Sequence, residues 1–490
     1  MEDVPLPGSE LTRPGGGAAE PTASRPADPR AADSAQPAAV IRAAVPAEVE
    51  DLLGTLWRSG HAAYVVGGSL RDALLGRRAE DWDLATDALP DETREIFPDS
   101  AYENRFGTVA VRRGRDAYEI TTFRSDHDYA DFRRPHRVEF GASLEADLAR
   151  RDFTVNAIAW GAGAEAAAAG VPEPVLVDPF GGIADVEARL LRAVGDPLKR
   201  FEEDALRMVR AVRLASTLDL DIEPATLAAI HARADLVAYL SGERIATELG
   251  KLLAAPRPSV GLRLLESSGI LAHVSAELAA QRGVPQNKVP GEDLWDHTLQ
   301  SVDAAPSNPI VRLAALVHDI GKPATQADGH FHGHETVGAD QARELLERLR
   351  EPRLVVDRVT HLVRQHMFRY EENWSDAAVR RFIGKVGAEA VDELFALREA
   401  DNVGSGLPTD AEGLDELRRR VRDELERGPI LDRSALAIDG GDLMRELGLE
   451  PGPRLGRLLD ALVERVIEDP GLNDAPTLVL LARDLAGDEP

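Results

Sequence analysis

Two aspartates flank a tryptophan directly behind a glycine turn in VVGGSLRDALLGRRAEDWDLATD, residues 65–87. Because successive side chains of a strand point to opposite faces, Asp81 and Asp83 would present both carboxylates on one side while Trp82 packs inward. Adjacent carboxylates repel each other unless a cation lies between them. Mg²⁺ suits this place, since it takes one or two carboxylates and completes its shell with water and phosphate oxygens. Taken alone, the D-x-D pattern is common and usually marks only solvated acids, but the glycine pair and Arg71 at this spacing favour a site.

The glycine turn could supply the phosphate-binding half of such a site. Gly67, Gly68 and Ser69 would let backbone N–H groups approach phosphates at the start of the following helix. Arg71 would add a charge-assisted contact from the first turn. Glu119, in the strand-like stretch YEITTFR, is a candidate third carboxylate, although an exposed strand acid is an equally good interpretation.

Two further clusters combine arginines with acids. LARRDFTVNAIAW holds Arg151 and Asp152, which alone would suit a helix start with an internal ion pair. FEEDALRMVRAVRLAS is predicted as part of one helix, on which polar residues recur at every third position: Asp204, Arg207, Arg210 and Arg213. A solvated basic face is the usual interpretation of such a stripe. An Asp204–Arg207 pair, however, could offer both acceptors and donors to a nucleobase edge.

Histidines and aspartates with metal-ligand character recur in the second half of the chain. Imidazole and carboxylate groups can together bind a divalent ion. The adjacent pair His318 and Asp319, with His297 upstream and Asp401 downstream, offers four such ligands. His334 and His366 could add ligands to a second ion. A helical body that kept its fold and lost the metal is the alternative.

The elements that must position these residues change character along the chain. A mixed pattern of short strands and helices gives way to helical periodicity, so the fold class predicted is α+β: a small mixed sheet domain followed by a helical neck, body and tail. The chain is predicted to begin with a disordered Ala/Pro-rich N-terminal extension (1–44). This extension is followed by a head (45–185), a neck (186–285), a region around the His318-Asp319 doublet that we call the HD region (286–405), and a C-terminal tail (406–490).

Composition excludes several classes of protein. At 490 residues the chain should hold several domains, and with no cysteine it can form neither disulfides nor thiolate metal sites. No window approaches the roughly 20 apolar residues of a membrane span, and the acidic start lacks a signal-peptide pattern, so a cytoplasmic location is predicted. The net charge of −28 argues against indiscriminate nucleic-acid coating.

The motifs GGSLRD…DWDLAT, RRDFTVNAIA, DPFGGI and EDALR stand in the order of the tRNA nucleotidyltransferase and poly(A) polymerase family, and in particular resemble the bacterial CCA-adding enzymes. The resemblance implies that Asp81 and Asp83 are catalytic and bind metal. It further implies a nucleotide-binding set: Gly68, Arg71, Arg151, Asp152, Asp204, Arg207, Arg210 and Arg213. Within that set, Asp204 and Arg207 match the pair that reads CTP or ATP without a template.

The resemblance also implies partners and cofactors. Mg²⁺ would be bound in the head. The partners would be tRNA, CTP and ATP, with the C-terminal tail binding tRNA, and neither DNA nor a membrane would be bound. The histidine set resembles an HD phosphohydrolase domain with a second divalent site for Mg²⁺, Mn²⁺ or Ni²⁺. Residues 126–140 resemble the flexible loop used in switching from CTP to ATP, which argues against CC-only addition. The alternatives are an A-adding tRNA enzyme, a poly(A) polymerase, and a non-catalytic RNA-binding module.

Overall fold

The computed structural model describes residues 37–104, 107–129, 135–141, 143–170, 172–286, 288–428 and 432–487. The strands are β1 (Ala63–Val66), β2 (Asp83–Thr86), β3 (Ala101–Asn104), β4 (Thr108–Arg113), β5 (Asp116–Thr122), β6 (Arg124–Tyr129), β7 (Pro135–Phe140), β8 (Ala159–Ala162), β9 (Val175–Val177), β10 (Leu190–Leu191), β11 (Asp221–Ile222), β12 (Gln326–Ala327) and β13 (His330–Phe331).

Helices in the first 280 residues are α1 (Pro37–Ala44), α2 (Ala47–Arg58), α3 (Gly68–Leu74), α4 (Pro90–Ile96), α5 (Leu144–Ala149), α6 (Ala164–Ala168), α7 (Gly182–Glu187), α8 (Pro197–Glu203), α9 (Leu206–Leu218), α10 (Pro224–Arg233), α11 (Gly242–Leu253), α12 (Pro258–Ser267), α13 (Ile270–Val274) and α14 (Ala276–Ala279). Those that follow are α15 (Leu294–Ala304), α16 (Pro309–Val317), α17 (Lys322–Thr325), α18 (His334–Arg348), α19 (Arg353–Gln365), α20 (Asp376–Val386), α21 (Val391–Gly404), α22 (Leu414–Glu426), α23 (Gly440–Leu447), α24 (Pro453–Glu468) and α25 (Ala475–Gly487).

The head is built on a seven-stranded sheet in the order β3-β4-β5-β2-β1-β8-β9. Neighbouring strands run antiparallel except β2 and β5, which pair in parallel with Leu84 opposite Ile120. All four residues of β1, AYVV, are buried, because this strand lies between β2 and β8 inside the sheet and is covered on both faces. The α+β architecture predicted from the sequence is therefore confirmed, with the sheet domain preceding a helical body.

The hydrophobic core runs without interruption from the head through the neck into the HD region. Helix α2 places Val49, Leu52 and Leu56 in it at helical spacing, and α22 still contributes Leu417. A second cluster begins at Leu436 and, apart from one residue of α20, is formed by the last helices alone. The five predicted divisions remain predictions at their inner boundaries.

The predicted extent of the disordered N-terminal extension was wrong at its end. Residues 37–44 form helix α1, and Ile41 is completely buried in the main core. The Ala-rich composition suggested disorder, but PAAVIRAA can bury one branched apolar side chain while exposing Arg42, which pairs with Glu173 at 3.0 Å. Residues 1–36 lie outside the described residues.

The segment predicted as a flexible loop contains paired strands. Strands β6 and β7 form an antiparallel pair in which Arg124 faces Phe140. The residues that connect them, 130–134, lie outside the described residues. Among the described residues, no helix combines the length and apolar character that a membrane crossing requires.

Candidate active site

The glycine turn lies where β1 ends and α3 begins. Gly67 has a φ of +87°, which side-chain-bearing residues rarely adopt, and a Cβ there would lie 2.9 Å from Nη1 of Arg151. The same Cβ would lie 3.9 Å from Oδ2 of Asp83. Glycine at this position therefore leaves room for an arginine and a carboxylate to approach the backbone.

Arg71 projects from α3 and is only 8% exposed. Its Nε donates to Oδ1 of Asp72 at 2.9 Å, and its Nη1 donates to the side-chain oxygen of Asn156. These two contacts fix the guanidinium at the edge of the site, although the Asn156 contact must be exchanged or shared when a ligand binds.

The aspartate pair stands at the start of β2. Trp82 is buried in the main core, whereas Asp81 and Asp83 are exposed. The strand itself starts only at Asp83, so Asp81 and Trp82 precede it. The register of β1 and β2 sets Asp83 opposite Val66, next to the glycine turn. Partial removal of water around Asp83 and the nearby Asp81 carboxylate raise the pKa of Asp83, while Arg151 opposes the shift.

These two carboxylates fit a hard divalent cation. Both offer oxygen ligands, which a hard divalent cation prefers, and they lie close enough for Asp81 to act on the pKa of Asp83. Glu119 lies one position before Ile120, which pairs with Leu84, so it neighbours Asp83 in the sheet. Glu119 and both aspartates line the same cavity of about 770 Å³.

Arg151 and Asp152 follow α5 and precede a 3₁₀ turn at Thr154–Asn156. Asp152 accepts hydrogen bonds from the amide of Asn156 at 2.9 Å and from Nε of Arg210 at 2.9 Å. Burial opposes ionisation of Asp152, but Arg210 and Asn156 outweigh it and hold the pKa well below its usual range. Arg151 is anchored by the backbone oxygen of Asn156 and by Asp147.

The stripe predicted on one helix is divided between two elements. Helix α8 ends at Glu203, and Asp204 has extended backbone angles before α9 starts at Leu206. Asp204 and Arg207 do not pair with each other: Asp204 accepts from Arg244 at 2.7 Å, and Arg207 donates to Glu203 at 2.6 Å. Predicting one continuous helix was therefore wrong, because side-chain periodicity does not reveal a backbone break.

Arg210 and Arg213, by contrast, face a shared acid. Glu248 of α11 is 3% exposed and lies 2.6 Å from Nε of Arg213 and 3.7 Å from Nη1 of Arg210. Sequence reasoning missed Glu248, although a single acid on the apolar face of α11 is a usable signal for a buried ion pair. Lys251, one turn later on α11, was also missed.

One cavity of about 660 Å³ collects most of the predicted head residues. Its lining includes the glycine turn, the aspartate pair and the anchored arginines: Gly67, Gly68, Ser69, Arg71, Asp81, Asp83, Arg151, Asp152, Asn156, Arg210, Arg213 and Lys251. Asp204 and Arg207 are not part of its lining. Carboxylates at one end and several arginines elsewhere suit a nucleoside triphosphate with a divalent cation.

A second cluster, which we call the histidine cluster, lies in the HD region and contains His297, His318, Asp319, His334, His366 and Asp401. Helix α15 begins at an Asp293 cap and carries His297, while α16 is buried almost throughout and has His318 as its C-cap residue. Oδ2 of Asp319 lies 3.3 Å from His297 and 3.1 Å from His318.

The other oxygen of Asp319 faces a separate histidine pair. Oδ1 lies 3.3 Å from Nε2 of His334 and 3.7 Å from Nε2 of His366. Each of these rings has its Nδ1 beside a main-chain oxygen, at 2.7 Å and 2.6 Å, which leaves Nε2 as the ligand atom. Both Nε2 atoms are buried and without a hydrogen-bond partner among the described residues. Such a donor set fits divalent metal.

The neighbouring His318 and Lys322 favour a charged Asp319 at this buried position. Burial alone would raise its pKa, but His318 and Lys322 outweigh that effect and hold the pKa well below its usual value. Nζ of Lys322 lies 2.6 Å from Oδ2, so this lysine occupies one side of the carboxylate. Asp401 completes the group from α21, 3.3 Å from His297.

Three family models match successive parts of the chain. The poly A polymerase head domain matches residues 63–192, the RNA and SrmB-binding site of polymerase A matches 219–281, and tRNA nucleotidyltransferase domain 2 matches 334–481. The CCA-adding enzyme of Levilactobacillus brevis is 33% identical, with 88% of this chain and 96% of the relative covered. That of Streptococcus thermophilus is 34% identical, with 89% and 96% covered.

A solved structure supports the same assignment. The crystal structure of the Bacillus stearothermophilus CCA-adding enzyme in complex with CTP is 30% identical and superposes with a TM-score of 0.67, covering 89% of this chain and 96% of that one. The resemblance noted from the motifs is confirmed by these comparisons. The aspartate pair, the glycine turn and the arginine-lined cavity thus stand in a chain that belongs to the family of CCA-adding enzymes.

Proposed function

We propose that this protein adds C, C and A to the 3′ end of tRNA from CTP and ATP without a template, releasing pyrophosphate. The observation that carries the proposal is the 660 Å³ cavity, which joins the aspartate pair to six arginines in a chain of the CCA-adding family. A tRNA substrate agrees with the cytoplasmic location predicted from the sequence.

The geometry suggests a division of labour. Asp81 and Asp83 would hold Mg²⁺, which when bound stabilises charge on the attacking and leaving oxygens of phosphoryl transfer. Arg71 and Arg151 are positioned to hold the triphosphate at the glycine turn. Asp152 fixes Arg210 with two contacts of 2.8 and 2.9 Å, so that this guanidinium is oriented before the nucleotide arrives.

Base selection by Asp204 and Arg207 is the part of the proposal that requires a rearrangement. Arg207 already donates to Glu203 and to the backbone oxygens of Arg150 and Arg200. Asp204 already accepts from Arg244. For these residues to read CTP or ATP, at least part of this bonding must be exchanged for bonds to the base.

Incorporation assays test the main proposal. The purified protein, incubated with tRNA lacking its CCA end and with labelled CTP and ATP, should add C, C and A and then stop. Addition of A alone to tRNA ending in CC would support the A-adding enzyme, and long A tracts on unstructured RNA would support a poly(A) polymerase. Binding of tRNA without any incorporation would support the RNA-binding module.

The metal assignment has its own test. Asp81→Asn and Asp83→Asn should abolish incorporation while tRNA binding survives, because each removes a charged ligand without removing side-chain volume. Asp91→Asn, an exposed acid on α4 that lines neither head cavity, is the matched control. Near-normal rates in either site variant would refute the assignment.

We further propose that the histidine cluster binds divalent metal and hydrolyses terminal or cyclic phosphates of damaged tRNA ends. The observation that favours this second function is the pair of buried Nε2 atoms, on His334 and His366, that face Asp319 without hydrogen-bond partners in the described chain. The ions considered are Mg²⁺, Mn²⁺ and Ni²⁺.

Metal analysis and phosphate release test this function. The protein should retain a divalent ion after dialysis. It should also release phosphate from 2′-phosphorylated ends or hydrolyse the ring of 2′,3′-cyclic phosphate ends. His318→Ala should lose both properties, whereas His273→Ala, at an exposed position on α13, should keep them. Absence of hydrolysis with all three metals would refute the phosphohydrolase, and absence of bound metal would refute the metal centre.

A further inference from the structure

The aspartate pair separates two cavities of opposite character. The first is the 660 Å³ cavity described above, which we call the nucleotide cavity. The second, of about 770 Å³, lies against β2 and β5 and is lined by Glu119 and Tyr118 among others. Asp81 and Asp83 line both cavities, as do Arg78 and Glu80. A reaction at the aspartate pair is therefore accessible from two sides.

Charge distinguishes these two sides. The nucleotide cavity is lined by more cations than acids. The seven cations are Arg71, Arg77, Arg78, Arg151, Arg210, Arg213 and Lys251, and the five acids are Asp72, Glu80, Asp81, Asp83 and Asp152. The second cavity, which we call the acidic cavity, is lined by Glu48, Glu80, Asp81, Asp83, Asp116 and Glu119. Among its described lining residues, Arg78 is the one cation. A triphosphate would be repelled from the acidic cavity and attracted to the nucleotide cavity.

In-line phosphoryl transfer requires the attacking oxygen to stand opposite the leaving pyrophosphate. If the triphosphate occupies the nucleotide cavity, the 3′-hydroxyl of the tRNA must approach from the acidic cavity. The terminal ribose and base are uncharged and suit an acidic lining. The cavity volume of about 770 Å³ falls in the ~300–1,000 Å³ range of small-molecule sites. The phosphate attached to that nucleotide, however, needs a cation.

Arg78 is available for this phosphate. Its side chain is exposed, and no ion pair or hydrogen bond engages it within the described part of the chain. The other five arginines of the nucleotide cavity are already engaged: Arg71 with Asn156, Arg77 with the backbone oxygen of Thr217, Arg151 with Asp147, Arg210 with Asp152, and Arg213 with Glu248. A guanidinium that already contacts a carboxylate has fewer N–H donors and less uncompensated charge left for a phosphate, whereas Arg78 keeps all five donors available.

We propose that Arg78 binds the backbone phosphate of the 3′-terminal nucleotide of the tRNA and so aligns that nucleotide in the acidic cavity. This role rests on the proposed function, since it needs a tRNA 3′ end as the attacking substrate. Arg78 would thereby distinguish the two substrates: the incoming nucleotide is held by the engaged arginines, and the growing end is held by the unengaged one.

Kinetics and salt dependence test the proposal. Arg78→Gln should raise the KM for tRNA by roughly fivefold to tenfold, the loss expected for one charged hydrogen-bond contact at an exposed site, and leave the KM for CTP unchanged. The slope of log affinity for tRNA against log salt should fall by about 0.7, since one phosphate contact on a single strand is lost. Arg78→Lys should keep the slope, and Arg94→Gln, on the exposed surface of α4, should change neither quantity.

Two results would overturn the proposal. One is a raised KM for CTP with an unchanged KM for tRNA, which would assign Arg78 to the triphosphate. The other is an Arg78→Gln protein whose salt slope equals that of the unmodified chain. The slope comes from equilibrium binding and needs no catalysis. A protein that adds no nucleotide would therefore refute the proposed function, while the slope would still decide the role of Arg78.

Discussion

Replacing Gly67 by alanine should lower kcat/KM for CTP by more than the backbone strain at this position explains. Gly67 has φ of 87° and ψ of −139°, a region that is almost exclusive to glycine and costs a side-chain-bearing residue about 1–3 kcal/mol. The added Cβ would also lie 2.9 Å from Nη1 of Arg151, too close for an undisturbed contact. The guanidinium must therefore shift away from the glycine turn.

The size of the effect follows from what Arg151 would lose. A hydrogen bond to a charged group contributes about 1.5–3 kcal/mol, so displacement of this arginine from a bound triphosphate should lower kcat/KM for CTP roughly 10- to 150-fold. Gly76→Ala is the matched control. Gly76 also has a positive φ, of 69°, but a Cβ there meets no atom within 4 Å, so the substitution introduces strain without contact.

The assay compares the two variants at equal folded fraction, measured by thermal unfolding. CMP incorporation into tRNA lacking its CCA end gives kcat and KM for each protein. Both variants should melt at lower temperature than the unmodified chain, but only Gly67→Ala should lose nucleotide affinity. A Gly67→Ala protein with the kcat/KM of Gly76→Ala would refute the argument that glycine is required to leave space for Arg151.

Two further predictions concern buried ion pairs. Asp152→Ala removes the carboxylate that orients Arg210, so it should weaken nucleotide binding by about 1–3 kcal/mol and raise the KM for both CTP and ATP in incorporation assays. An unchanged KM would show that Arg210 is oriented without Asp152. Glu424→Ala removes the carboxylate that lies 2.9 Å from the buried Arg380 and should destabilise the packing of α20 against α22 by about 3–5 kcal/mol. The melting temperature should fall, and an unchanged melting temperature would contradict a buried ion pair.

Local periodicity is enough to predict much of the head site. Strand alternation predicts Trp82 inside and both aspartates outside, and the burial agrees, although only Asp83 belongs to the strand and Asp81 and Trp82 precede it. The glycine pair marks the end of β1 because few other residues tolerate the φ of Gly67. The order of histidines and aspartates in the second half likewise predicts a cluster, and the structure brings His297, His318, Asp319 and Asp401 together.

The remaining features depend on contacts between distant segments, which one sequence does not display. The partner of Arg213 is Glu248, a residue of α11, and the partner of Asp204 is Arg244 on the same helix. The break between α8 and α9 is invisible to side-chain periodicity because apolar residues continue on both sides of it. The two cavities on either side of Asp83 arise from the sheet register and from α9 together, so neither could be deduced from the motif alone.

Helix α1 sets a practical limit on how far the chain can be trimmed. Ile41 belongs to the same buried core as Leu70 of α3, the helix that carries Arg71. A shortened protein beginning at residue 45 would expose that surface to water and loosen the support beneath a phosphate-binding arginine. A shortened protein that lacks the Ala/Pro-rich N-terminal extension should therefore begin no later than Pro37, so that the eight residues of α1 are kept.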